Sequence, residues 1–136
     1  MTYLVDTDWV VDYLKGRLRA IALVDQLLPD GVGISAVTYG EIWEGLAPLG
    51  EARRAEEEAL RRFTRAFRVY PVDRPVARRF GLIRRFLREA GLLITDTDIL
   101  IAATAVEHRL VLVTRNLRHF QRVPDLILFE APEPLA

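Results

Sequence analysis

Asp6, Glu41, Asp98 and Asn116 each stand at or soon after the boundary of an apolar run. Tyr3-Leu4-Val5 leads into Asp6, and Val32-Gly33-Ile34-Ser35 precedes Glu41. Asp98 opens Ile99-Leu100-Ile101-Ala102-Ala103, and Leu110 to Thr114 leads into Asn116. Carboxylates gathered at one place repel one another unless a divalent cation sits between them, and an all-oxygen donor set selects Mg²⁺ or Mn²⁺. The chemistry open to such a group is metal-assisted hydrolysis at phosphate. The chain has no cysteine, which removes thiolate metal sites, disulfides and a cysteine nucleophile and makes zinc a poor candidate.

These side chains meet only if the runs that carry them are neighbouring parallel strands. If 3–5, 32–34 and 111–113 are such strands, their C-terminal ends lie on one edge of one sheet, where open α/β folds bind ligands. Each residue also has a plainer reading. Asp6 at a strand-to-helix junction fits a helix N-cap, and Thr38-x-x-Glu41 and Thr95-x-x-Asp98 have the shape of capping boxes. The two readings are compatible, because one carboxylate oxygen can cap a helix while the other binds a cation.

Between the strands the apolar spacing is helical. Trp9, Val10, Tyr13 and Leu14 mark a helix ending at Gly16, and 18–28 a second, closed by Pro29-Asp30-Gly31. Helices are expected over 36–48 and 51–67, paired as an αα hairpin, with Ala55, Ala59, Leu60, Phe63 and Phe67 on the buried side of the second. A weak strand at 68–72 precedes Asp73, the expected N-cap of a helix over 75–90 with Pro75 in its first turn. A nearly all-apolar, hence buried, helix over 95–108, a strand at 110–114 and an edge strand at 126–129 complete an α/β pattern. Residues 1–130 read as one domain and 131–136 as a frayed tail.

Charge narrows the partners. Lys+Arg and Asp+Glu both number 19 in 136 residues, so no bulk attraction to nucleic acid or membrane follows and local distribution must supply any. All cationic side chains but Lys15 are arginine, which favours bidentate contacts with phosphate or carboxylate. Arg53 to Arg68 are balanced by Glu51, Glu56, Glu57 and Glu58, whereas Arg74 to Arg88 have only Asp73 and Glu89 near them in sequence. Arg74, Arg78, Arg79 and Arg85 are therefore the expected contacts to a phosphate backbone. Without a signal-like N-terminus or an apolar run long enough to span a bilayer, a cytoplasmic location is expected.

The set Val5-Asp6-Thr7-Asp8, Ser35 to Gly45, Asp98 to Ala105 and Leu112-Val113-Thr114-Arg115-Asn116 with His119-Phe120 resembles, in order and over nearly the whole chain, the PIN domain. The likeness is to the compact ribonuclease toxins of VapC type in type II toxin–antitoxin modules. It implies a three-layer α/β/α fold around a mainly parallel sheet of four to five strands, with Asp6, Glu41 and Asp98 as metal-binding acids. Asn116 falls where the family carries Asp or Asn, and Thr114, Asp8 and Asp96 would support the acids from behind, Asp96 alternatively capping its helix. The implied activity is Mg²⁺- or Mn²⁺-dependent hydrolysis of RNA by water, leaving 5′-phosphate and 3′-hydroxyl ends. His108 and His119 are read as structural.

The resemblance also implies a VapB-like antitoxin and a homodimer, with the apolar surface around the helices at 7–15 and 36–67 as the docking face and Trp9, Tyr13, Trp43 and Phe67 as its aromatics. Trp9, Trp43 and Tyr39 could instead stack a base. Two alternatives stay open: a catalytically silent PIN-like binding module whose acids only cap helices, and a haloacid-dehalogenase-like phosphatase suggested by Asp6-Thr7-Asp8. The latter lacks the expected threonine, with Val10 in its place, and any lysine after Lys15.

Overall fold

Five short strands and seven helices alternate along the chain, and the computed structural model describes residues 1–130. In order these are β1 (Tyr3–Val5), α1 (Thr7–Leu14), α2 (Leu18–Leu27), β2 (Val32–Ser35), α3 (Ala36–Glu44), α4 (Glu51–Ala66) and β3 (Arg68–Tyr70). They continue through α5 (Arg74–Glu89), α6 (Asp96–His108), β4 (Val111–Val113), α7 (Leu117–Phe120) and β5 (Ile127–Leu128), with a single 3₁₀ turn at Leu28–Asp30. The expected tail, 131–136, lies outside the described residues. Among the described residues no helix is long and apolar enough to cross a membrane.

The sheet has the order β3-β2-β1-β4-β5 and every pairing is parallel. Both faces must then be covered, because parallel strands are joined by helices that lie over the sheet. Successive side chains accordingly enter opposite cores. Leu4 and Leu112 join Ile99, Ile101, Ala102, Ile83 and Leu87 under α5 and α6. Val5, Val113 and Ile34 join Val10, Val24, Leu60 and Phe63 under α1, α2 and α4. The order reverses direction between β1 and β4, and such a switch point is where an open α/β sheet leaves a crevice at its carboxyl edge.

Local chemistry explains the close approaches. A Cβ on Gly33 would come within 2.5 Å of Tyr70 Cε2 and 2.9 Å of the Arg68 carbonyl, so only glycine lets β3 lie against β2 with Tyr70 crossing it. The alanines at 102, 103 and 105 are fully buried and let α6 pack tightly beneath α5. Arg109 ends α6 in the left-handed region at φ 55, which turns the chain straight into β4.

Several boundaries differ from the sequence expectation. The helix expected over 36–48 ends at Glu44, capped by Gly45, and β3 stops at Tyr70 rather than continuing to 72. The expected αα hairpin is open: α4 makes its broad contacts with α1 and β3, tied to the end of α3 through Arg53 over the Trp43 ring and Glu56 on the Ala47 amide. Ala55 faces solvent, while Phe63 and Phe67 are buried and stack with Tyr13. Phe67 is therefore core and not docking surface. The apolar side chains left in solvent include Leu82 and Phe86 on α5 and the Leu92-Leu93 pair beyond it.

Candidate active site

Asp6 follows the last residue of β1, and its amide bonds the Val113 carbonyl at 2.9 Å, which fixes it between β1 and β4 at the switch point. One carboxylate oxygen accepts from the Thr7 amide at 2.8 Å, capping α1 as the plain reading predicts. The other accepts from Thr114 Oγ1 at 2.7 Å. Thr114 in turn accepts from the Asn116 amide at 3.0 Å, so the chain leaving β4 is folded around the hydroxyl that holds Asp6.

Glu41 reaches the same edge from the middle of α3, and here the capping expectation fails. The N-cap of α3 is Ser35, whose hydroxyl accepts from the Thr38 amide at 3.0 Å. Thr38 is inside the helix and Glu41 a turn further on, too late to cap anything. Glu41 instead accepts from Thr7 Oγ1 at 2.6 Å, and Thr38 Oγ1 lies 3.1 Å from the same hydroxyl. Thr7 thus ties two of the three acids together, by amide to Asp6 and by hydroxyl to Glu41. Its neighbours Asp6 and Asp8 drew attention in the sequence and Thr7 did not. The signal was a hydroxyl inside an acid–Thr–acid triplet at a helix start.

Asp98 sits in the first turn of α6, where Thr95 Oγ1 accepts its amide at 3.3 Å. Thr95, not Asp96, is the cap. Asp96 turns outward to Arg84 at 2.9 Å with a side chain 61% exposed, away from the role of helix cap or site acid. Asn116 holds His119 Nδ1 through its side-chain nitrogen at 2.9 Å, and His108 packs on Tyr70 with ring centroids 4.8 Å apart. Both histidines are engaged structurally.

Electrostatics show which acids face one another. Burial pushes the Asp6 carboxyl above the ordinary aspartate range; the Thr114 hydroxyl and the Thr7 amide oppose the rise, and the charges of Asp98 and Asp8 add to it. Asp6, Asp98 and Asp8 therefore share one negative edge. Among the described residues no three His, Asp or Glu side chains converge closely enough to grip a single ion; Glu41 is engaged by Thr7. The donor chemistry nevertheless fits a hard divalent cation: every candidate ligand is a carboxylate oxygen, and a cation there would offset the burial that chiefly raises Asp6 and the smaller repulsion from Asp98.

The four arginines expected to hold RNA do not form one line into this edge. α5 and α6 run antiparallel, so Arg79 meets Glu107 at 3.1 Å near the far end of α6, whereas Arg84 meets Asp96 near its start. Glu107 is nine residues beyond Asp98, about 13 Å along a helix. Arg79 also lines a hollow with Met1, Arg109 and Leu110, at the opposite edge of the sheet. Arg85 pairs with Glu89 at 3.1 Å. Arg74 and Arg78 lie on the N-terminal side of Arg79, away from the acids. Glu107 and Asp96, distant in sequence, supply the balance that sequence proximity concealed.

Acids at the switch point of an open parallel sheet place a candidate phosphate and cation site at its edge, and residues 3–126 match the family model described as PIN domain. The chain belongs to the PIN-domain family. It is 36% identical over 125 residues to Ribonuclease VapC19 of Mycobacterium tuberculosis, covering 90% of this chain and 95% of the relative. It is 32% identical over 122 residues to Ribonuclease VapC1 of Methanocaldococcus jannaschii, covering 90% and 81%. Among solved structures, VapBC2 from Rickettsia felis bound to a DNA fragment from its promoter superposes with a TM-score of 0.86 at 25% identity, covering 97% of this chain and all of that one.

Proposed function

We propose that this PIN domain is a divalent-cation-dependent endoribonuclease and the toxin of a type II toxin–antitoxin module. The observation that carries the reading is the linked set Thr114–Asp6–Thr7–Glu41, with Asp98 charging the same edge. Capping alone does not account for it, since Glu41 caps nothing. The named ribonucleases above are matched over 81% and 95% of their length, and membership of the PIN family leaves the phosphatase alternative without support.

Asp6, Glu41 and Asp98 would hold Mg²⁺ or Mn²⁺, which when bound supplies Lewis acidity and makes water a better nucleophile. Thr7 and Thr114 hydrogen-bond the carboxylates of Glu41 and Asp6 and hold both at this edge. Water adds its oxygen to phosphorus and the 3′-oxygen leaves with a proton, giving 5′-phosphate and 3′-hydroxyl ends. Asn116, oriented by His119, offers a neutral amide where a further carboxylate would repel the phosphate. Asp8 adds charge at the rim. Arg84, Arg85 and Arg88, on the half of α5 nearest the start of α6, supply the closer part of the RNA path.

A VapB-like antitoxin is the partner of this reading, and the R. felis structure is of such a VapBC pair. The apolar hollow between α1, α3 and α4, lined by Val11, Leu14, Ile42 and Leu46 with Lys15 and Glu56 beside them, suits an amphipathic segment of that partner. A homodimer accompanies it. Induced expression of the wild-type chain in a bacterial host is expected to arrest growth, Asp98→Asn to leave growth normal, and co-expression of the reading frame next to the gene to restore it. Growth arrest that persists undiminished in Asp98→Asn would assign the toxicity to binding alone.

A further inference from the structure

We infer that Arg115 is a phosphate-binding residue for the RNA strand, fixed in place by Trp9 and Asp12; the inference rests on the ribonuclease reading above. Arg115 follows Thr114, the residue that holds Asp6, so its backbone is anchored at the acidic edge. Its guanidinium lies over the Trp9 ring at 3.9 Å from the centroid, and its Nη2 donates to Asp12 Oδ2 at 2.7 Å. Trp9 and Asp12 are three and six residues beyond Asp6, on successive turns of α1. The side chain is nonetheless 42% exposed.

The arrangement differs from an ordinary surface ion pair. Asp12 is shared with Arg17 at 3.2 Å, so the group of two arginines and one carboxylate keeps a net positive charge. A guanidinium has five N–H donors in one plane. Stacking fixes that plane and Asp12 takes one Nη2 donor, while Nε and Nη1 have no protein acceptor among the described residues. A flat, preorganised fork with spare donors is suited to a phosphate oxygen pair. On α5, Arg79, Arg84 and Arg85 are each matched by a separate carboxylate, whereas Arg115 and Arg17 share one. Arg115 supplies charge where an incoming polyanion must pass Asp6, Asp8 and Asp98.

The test uses the full chain carrying Asp98→Asn, so that RNA is held without being cut. Binding of a short, mixed-sequence, single-stranded RNA is measured across a salt series with and without Arg115→Gln. The glutamine variant is expected to bind about tenfold more weakly, with the salt slope shallower by about one unit. Arg115→Lys should recover the slope and only part of the affinity, because an ammonium cannot lie flat on Trp9. Equal affinity and slope with and without Arg115→Gln overturn the proposal, as does a loss confined to an acidic protein partner with RNA binding intact. Should the glutamine variant fail to fold, the lysine variant decides, and undiminished affinity there is the overturning result. Cleavage of the same RNA by the wild-type chain is scored separately: its failure removes the ribonuclease reading, whereas failure of the arginine arm alone leaves that reading standing.

Discussion

Replacing Asp6 with asparagine is expected to abolish RNA cleavage and to make the cation-free protein more stable at neutral pH. The loss of activity should be on the order of 10²–10³-fold, the scale on which removal of one charge-stabilising group at a reacting centre is felt. The gain in stability follows from the direction of the Asp6 shift. Its carboxyl is raised in the folded chain, first by burial and then by Asp98 and Asp8, against the pull of Thr114 and Thr7. Folding therefore favours the protonated form. The stability this group contributes is complete below the ordinary aspartate range and is lost as pH rises through the elevated folded-state value, so ionised Asp6 is a net cost at neutral pH.

Asparagine removes that cost and keeps the local bonds. Its oxygen can still cap the Thr7 amide, and the Thr114 hydroxyl can turn to accept from its nitrogen. Thermal melting without divalent cations should show Asp6→Asn above wild type at neutral pH and the two converging in acid. Added Mn²⁺ should then raise the wild-type melting temperature more than that of the variant. A wild-type protein that melts higher than Asp6→Asn at neutral pH without cations would contradict the assignment.

Thr7→Val should lower the cleavage rate by about 10–100-fold at near-normal stability, the usual consequence of removing a group that orients a metal-binding carboxylate. Valine keeps the shape and the backbone amide that Asp6 caps, and deletes only the hydroxyl that donates to Glu41 at 2.6 Å. The effect should fall on kcat with little change in KM for RNA, because Thr7 acts through Glu41 and not on the strand. Thr7→Ser, which retains the hydroxyl, should recover most of the rate. Single-turnover kinetics of the three proteins separate this from a packing defect, which valine and serine would share.

The fold was largely legible because β1, β2 and β4 are short apolar runs leading into helix starts, and because α6 is nearly all apolar from Ile99 to Val106 and has to be buried. Helix ends were less so: Thr38 and Ser35 are both good N-caps in sequence, and the turn that chooses Ser35 is set by where β2 stops pairing with β3 at Ser35–Tyr70. The acids stood out from their positions, whereas the hydroxyls that link them did not, since a Thr7–Glu41 bond spans 34 residues and leaves no local spacing to read. The ion pairs of the arginine ridge were hidden for the same reason. Counting charges along α5 could not reveal Glu107 and Asp96 on the antiparallel α6. Phe67 was expected both on the buried side of its helix and among the docking aromatics, and Tyr13 and Phe63 close over it in favour of the first.

The most direct test of the acidic edge is the initial rate of cleavage of one defined RNA strand, measured for wild type and Asp98→Asn with chelator, with Mg²⁺ and with Mn²⁺. Wild-type cleavage should be absent in chelator, restored by either cation and terminated by 5′-phosphate ends, while Asp98→Asn stays folded and inactive throughout. Cleavage by the wild type that survives the chelator, or by Asp98→Asn at the wild-type rate, would show that the edge formed by Asp6, Glu41 and Asp98 is not the catalytic centre.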